Sequence, residues 1–152
     1  FGESVQFFAQ ANDIAAFVSS AVGDGEQAKS SLLQSRGVLG SVEAVREYTK
    51  DGDDTKQVSI ELKNLSVHPF ARRRGIGKAL VEAVQEYARR QVFILEQEDG
   101  SRYTGVVHLI VEIENEGAMR LYSETGFVSD NDVESEDGEE LCTLLWSIAI
   151  ER

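Results

Sequence analysis

The segment Leu65-Ser66-Val67-His68-Pro69-Phe70-Ala71-Arg72-Arg73-Arg74-Gly75-Ile76-Gly77-Lys78-Ala79-Leu80 constrains the fold more than any other stretch of the chain. It reads as a strand end, a glycine-bearing turn and a helix start in direct succession. Pro69 ends strand pairing, because it has no amide hydrogen to give to a ladder. After the turn, Leu80, Val81, Val84, Tyr87 and Ala88 recur at helical spacing, which predicts a helix over Lys78 to Val92. A helix starting directly after glycines turns its first free amides, with a dipole worth about half a positive charge, toward anything the backbone can approach. Four basic side chains, Arg72, Arg73, Arg74 and Lys78, fall within seven residues there. The turn therefore suits an anion.

The rest of the chain is the opposite in charge. Its 152 residues carry 27 acids against 15 Lys plus Arg, a formal net charge of −12. A surface of that sign repels a nucleic-acid backbone, so nucleic acid is excluded as a general partner. The length matches one domain of roughly 100–200 residues, and 41% apolar content fills a core, so residues 1–152 are expected to form a single domain. No apolar run of ~18 residues is present to span a membrane. One cysteine, Cys142, cannot form an internal disulfide, and with two separated histidines it makes no metal cluster. Cys142 is read as a small core residue and His68 as shaping the turn, while His108, alternating with Ile110, faces either a neighbour or the cleft. No basic-plus-apolar leader precedes Val5. The expectation is a soluble, intracellular, cytoplasmic chain, or an organellar one whose targeting segment has been removed.

Turn signals cut the chain into short alternating units. Val5 to Ala9 reads as a first strand, and Asn12-Asp13 is placed to cap a helix carrying Ile14, Phe17 and Val18, ended by Gly23 and Gly25. Leu32 to Gln34 and Val38 to Glu47 read as strands around the turn Ser35-Arg36-Gly37. Gln57 to Val67 is a strand with a phase break: Val58, Ile60 and Leu62 keep a period of two, then Leu65 and Val67 continue on the other phase. Either both faces are buried, or a bulge near Lys63 and Asn64 resets the strand. Val106 to Ile113 is a β-branched strand placed inside the sheet. Glu116 to Thr125 is a second helix with Asn115 as its cap and Gly126 as its stop. Ser129 to Glu140 holds seven acids in twelve residues and is read as the acidic loop of a long hairpin that returns through Leu141 to Ile150.

Two familiar phosphate loops fail at this turn. Leu80 stands where a dinucleotide fingerprint needs its third glycine, and Ala79 follows Lys78 where a P-loop needs Ser or Thr. What remains, Arg72-x-x-Gly75-x-Gly77 after Leu65-x-Val67-x-Pro69, resembles motif A of the GCN5-related N-acetyltransferase (GNAT) superfamily. A second block, from Asn115 through Ala118 and Tyr122 to Gly126-Phe127, is similar to that family's motif B. The resemblance covers Gln57 to Phe127.

The resemblance implies an α/β fold: a mixed, mostly antiparallel sheet of six to seven strands flanked by helices, with a central strand pair splayed to admit acetyl-CoA. It implies that Leu65, Ser66 and Val67 bond the pantetheine arm through their backbone. Arg72, Arg73, Arg74, Gly75, Ile76, Gly77 and Lys78 would form the pyrophosphate turn, and Asn115 would contact the arm. Tyr122 matches the tyrosine that protonates the departing thiolate. The reaction implied is acetyl transfer to a primary amine through a direct ternary complex. A lysine-like amine of pKa ~10.4 costs about 4–5 kcal/mol to deprotonate at pH 7, so a base is needed. Glu61 matches the base position of the family's histone acetyltransferases. Other family members place a Glu five residues before the motif B Asn, where this chain has Ile110. Glu112, on the same alternating phase as Ile110, is the reserve base. The acidic hairpin would border the acceptor site and draw in a cation: a polyamine, a lysine or a peptide amine. Monomer and homodimer both stay open, as do two other classes of function, a non-catalytic acyl-CoA sensor or scaffold and an interaction domain with no CoA site.

Overall fold

Alternation with a period of two places every second side chain of a strand on one face, and in five of the described strands that face is apolar. The computed structural model describes residues 3–10, 34, 36–52 and 55–148. It has strands β1 (Glu3–Gln10), β2 (Val38–Gly52), β3 (Thr55–Val67), β4 (Tyr103–Glu112), β5 (Val128–Glu136) and β6 (Glu139–Ser147), with helices α1 (Ile76–Asp99) and α2 (Glu116–Glu124). The six strands form one sheet in the order β1-β2-β3-β4-β6-β5. Every neighbouring pair is antiparallel except β3 and β4, which run parallel. The mixed, mostly antiparallel α/β architecture expected from the sequence is the one observed.

The core lies on the sheet face that α1 covers. Val42 and Ala44 from β2, Val58, Ile60 and Leu62 from β3, and Val107, Leu109 and Val111 from β4 meet Leu80, Val81, Val84, Ala88 and Val92 of the helix. Ile60, Leu109, Val81 and Val84 are among its largest fully buried side chains. Truncating any of them to alanine costs about 2–5 kcal/mol. Gln85, the buried polar residue of α1, donates through Nε2 to the Thr125 carbonyl at 2.8 Å and so ties α1 to the end of α2. No described helix is long and apolar enough to cross a membrane.

Three local details shape the sheet and its helices. The phase break in β3 is a bulge: Ser66 pairs with Ser41 and Lys63 with Glu43, so Asn64 and Leu65 together face Val42. Asn64 takes φ 53°, a conformation asparagine tolerates better than most residues. Next, α1 runs past the expected end at Val92 to Asp99, because the exposed Phe93 and Ile94 interrupt the apolar stripe without interrupting the helix. Finally, the acidic stretch is not a loop. Residues up to Glu136 form the edge strand β5, and the reversal is confined to Asp137 and Gly138, at φ 50° and 81°. Both central residues having positive φ is the tight hairpin geometry that an Asp-Gly pair supports.

The helix expected over Ile14 to Val18 lies outside the described residues. Of the strand expected from Leu32 to Gln34, only Gln34 is described, and it is helical.

Candidate active site

The site begins where β3 and β4 part. Their ladder runs from Lys56↔Tyr103 to Glu61↔His108 and then stops, although β3 continues to Val67 and β4 to Glu112. From there β3 has β2 on one edge and, among the described residues, no strand on the other. His68 N–H donates to the Leu39 carbonyl at 2.7 Å. Backbone direction alternates along a strand, so Ser66 also faces β2, whereas the N–H and C=O groups of Leu65 and Val67 face the open edge.

Two cavities, of about 400 and 710 Å³, occupy this wedge and the ground beyond it. They share Leu65, Asn115 and Ala118 as a common wall, so the two adjoin and together make the cleft. The larger reaches Arg72, Arg73, Gly75, Gly77 and Lys78, and the smaller is bounded by Glu61, Lys63, Ile110 and Tyr122.

At the larger end the chain turns through two left-handed residues, Arg73 (φ 62°) and Gly75 (φ 75°), before entering α1. Ala79 N–H donates to the Gly75 carbonyl at 3.0 Å, which leaves Ile76, Gly77 and Lys78 N–H with no carbonyl one turn back. Gly75, the N-cap, has no side chain to cap them. These are donors for a ligand, backed by the helix dipole. A Cβ built on Gly77 would approach Leu121 Cδ2 to 3.3 Å and Val67 Cγ2 to 3.7 Å, so the glycine keeps open a gap between α1, α2 and β3. His68 shapes the preceding turn: its Nδ1 accepts from Phe70 N–H at 3.3 Å and caps the short 3-10 turn Pro69–Ala71.

Asn115 lies where the two cavities meet. Its Oδ1 accepts from Ala118 N–H at 3.1 Å and caps α2, so the amide NH2 is the donor left for the cleft. At the smaller end, half-buried Glu61 has Oε1 at 3.8 Å from Lys63 Nζ. Tyr122 is buried, with its ring edge-on to Phe127 at 5.5 Å, and burial raises its phenol above the ordinary value of 10.0. It is therefore a neutral O–H donor throughout the physiological range.

The structure thus brings Leu65, Val67, Arg72, Arg73, Gly75, Ile76, Gly77, Lys78, Asn115, Glu61 and Tyr122 to one cleft. Ser66 and Arg74 are exposed and not among the residues lining it, and neither is Glu112, exposed at the end of β4. His108 is half-buried beside β3, with Nε2 at 3.6 Å from Glu47 Oε2, and Cys142 is buried with Sγ at 4.0 Å from Met119 Sδ. Sequence reasoning missed the α2 wall, Gly117, Leu121 and Glu124. The signal available for it was spacing: 117, 121 and 124 share one stripe of a helix that begins at the Asn115 cap.

Comparison with known proteins bears on the family and the fold. A family model described as an acetyltransferase (GNAT) domain matches residues 32–129. No curated protein matches the chain. Among solved structures, Arabidopsis thaliana NAA60 in complex with acetyl-CoA is similar with a TM-score of 0.60 at 16% identity, over 96% of this chain and 99% of that one. Ard1 from Thermoplasma volcanium is similar with a TM-score of 0.51 at 16% identity, over 95% and 99%. Arabidopsis thaliana Naa50 in complex with the bisubstrate analogue CoA-Ac-MVNAL is similar with a TM-score of 0.52 at 21% identity, over 73% and 66%. At such identities the likeness speaks for the fold.

Proposed function

Since the chain belongs to the GNAT acetyltransferase domain family, we propose that it transfers an acetyl group from acetyl-CoA to the nitrogen of a primary amine. The observation that carries the reading is the pair of adjoining cavities that places the uncapped amides of Ile76, Gly77 and Lys78 at one end and Glu61 and Tyr122 at the other. The fold likeness to a protein solved with acetyl-CoA, NAA60, supports the donor.

The fit can be followed along the cleft. A pyrophosphate needs several donors and positive potential at close range, which three free amides, the helix dipole and Arg72, Arg73 and Lys78 supply. A pantetheine arm carries amides, and the open edge at Leu65 and Val67 offers backbone partners for them. When bound, acetyl-CoA supplies a thioester, an acyl group with a thiolate leaving group. Glu61 takes a proton from the incoming ammonium, directly or through one water, so that the neutral amine can form the new N–C bond. Tyr122 holds its proton because burial disfavours the phenolate, and it donates that proton to the sulfur as the C–S bond breaks. Both substrates occupy the cleft together, so transfer is direct.

The acceptor is a cation before it reacts, and a chain of net charge −12 attracts it at long range. A polyamine, a lysine or a peptide amine fits at this level of detail. The test is release of free thiol from acetyl-CoA across a panel of such amines. Release that depends on both the amine and Glu61 is expected; CoA binding without thiol release for any amine would leave a sensor or scaffold instead.

A further inference from the structure

On the acetyl-transfer reading, we propose that Ile110 selects the acceptor, and that the amine it selects carries an apolar substituent beside its nitrogen rather than further positive charges. Ile110 lies two residues beyond His108, the last β4 residue paired with β3, and His108 pairs with Glu61. By strand alternation, Ile110 and Glu61 therefore share one face of the sheet, at the point where the two strands begin to part. Both line the same 400 Å³ cavity.

Ile110 is a large apolar side chain on the outward face of β4, and it is 58% exposed. The other exposed large apolar side chains among the described residues, Phe8, Phe93, Ile94 and Val128, line neither cavity of the cleft. An apolar side chain presented inside a cleft, opposite a carboxylate, gains when a ligand covers it and removes its surface from water.

The charges point the same way. The Lys63 ammonium stands 3.8 Å from the Glu61 carboxylate, and its side chain is half exposed at the mouth. A polyamine that brought one ammonium to Glu61 would bring its further charges into the cavity that the Lys63 ammonium also lines. An amine with an apolar flank meets no such penalty, since its ammonium pairs with Glu61 and its flank lies on Ile110. The acidic hairpin draws cations from a distance and is screened by salt, so short-range contacts at Ile110 and Lys63 make the selection.

The test measures thiol release from acetyl-CoA with leucinamide, glycinamide and spermidine, using the full chain. Leucinamide is expected to exceed glycinamide in kcat/KM by about tenfold, the discrimination a partly open apolar wall can give. Ile110→Ser should bring the two within about twofold of each other while leaving the KM for acetyl-CoA unchanged, and Ile110→Leu should keep the preference. Equal rates on leucinamide and glycinamide, a fastest rate with spermidine, or a preference that survives Ile110→Ser would overturn the proposal. No thiol release from the unaltered chain with any of the three or with the wider amine panel would overturn the acetyl-transfer reading beneath it, a result distinct from turnover without selection.

Discussion

The two ends of the cleft are made from different parts of the chain. At the α1 end the ligand-facing groups are main-chain amides and the space left by glycines. Its charged side chains, Arg72, Arg73 and Lys78, are exposed and loosely held, Lys78 lying 4.0 Å from Glu82. At the β3–β4 end the ligand-facing groups are side chains: Glu61, Lys63 and Ile110 on strands whose opposite face packs into the core, and Tyr122 on α2. A site made of backbone restricts which residues can stand there, because a side chain in the wrong place fills it. A site made of side chains leaves the backbone indifferent, and the same strands accept another set. The first end is therefore suited to a constant ligand, and the second to one that differs among relatives.

Substitutions at the two ends should separate them. The largest effect is expected at the backbone end, where Gly77→Glu puts atoms into the gap beside Leu121 and a carboxylate against unpaired amides. Calorimetry with CoA should show a loss of affinity of at least ~100-fold, with secondary structure intact. Next is Glu61→Gln, which should lower kcat by about 10²–10³ while CoA binds as before, since a general base contributes in that range. Were CoA affinity to fall in parallel, the two ends would not be separable.

Tyr122→Phe keeps the edge-on contact with Phe127 and removes only the O–H. A fall in kcat of roughly tenfold or more is expected, with no change in CoA affinity. Because burial raises the phenol above 10.0, the wild-type acid should keep its proton past pH 10, so an alkaline loss of rate from this group belongs above that value. Equal turnover in Tyr122→Phe would remove it as the acid.

Smaller still is Glu139→Gln with Glu140→Gln, which should raise KM for a cationic amine about twofold at low salt and have no effect at high salt.

A change at neither end serves as the control. Asp99 accepts from the Tyr103 hydroxyl, from Ser101 N–H at 2.7 Å and from Lys56 Nζ at 3.2 Å, and these hold its carboxyl at about 2. A carboxyl depressed on folding stabilises the fold above its ordinary value of 3.8, and that contribution is lost as pH falls toward about 2. Asp99→Asn should therefore flatten acid unfolding across that window and leave CoA affinity and kcat unchanged.

The same contrast explains what the sequence discloses. Gly75 and Gly77 are legible because a left-handed cap and a narrow gap that a side chain would fill favour glycine, and Asn115 because capping needs an acceptor at that place. The bulge at Asn64 is legible as a phase break, since a strand cannot keep Leu62 and Leu65 on one face otherwise. Strand β5 is not legible by alternation: it is an edge strand, and its sequence Val128-Ser-Asp-Asn-Asp-Val-Glu-Ser-Glu136 is too polar to show a period of two. The Asp137-Gly138 turn was the better signal there. Nor does the sequence say which of Glu61 and Glu112 faces the cleft, because both sit on the same alternating face. Only the ladder end at Glu61↔His108 and the position of the cavity separate them.

Acetyl transfer itself is tested most directly by incubating the chain with acetyl-CoA and a primary amine under single-turnover conditions and analysing amine and protein by mass spectrometry. One acetyl group on the amine nitrogen is expected for each thiol released, and none on Cys142 or elsewhere on the protein. Intact acetyl-CoA bound to the chain beside an unmodified amine would contradict the proposed transfer.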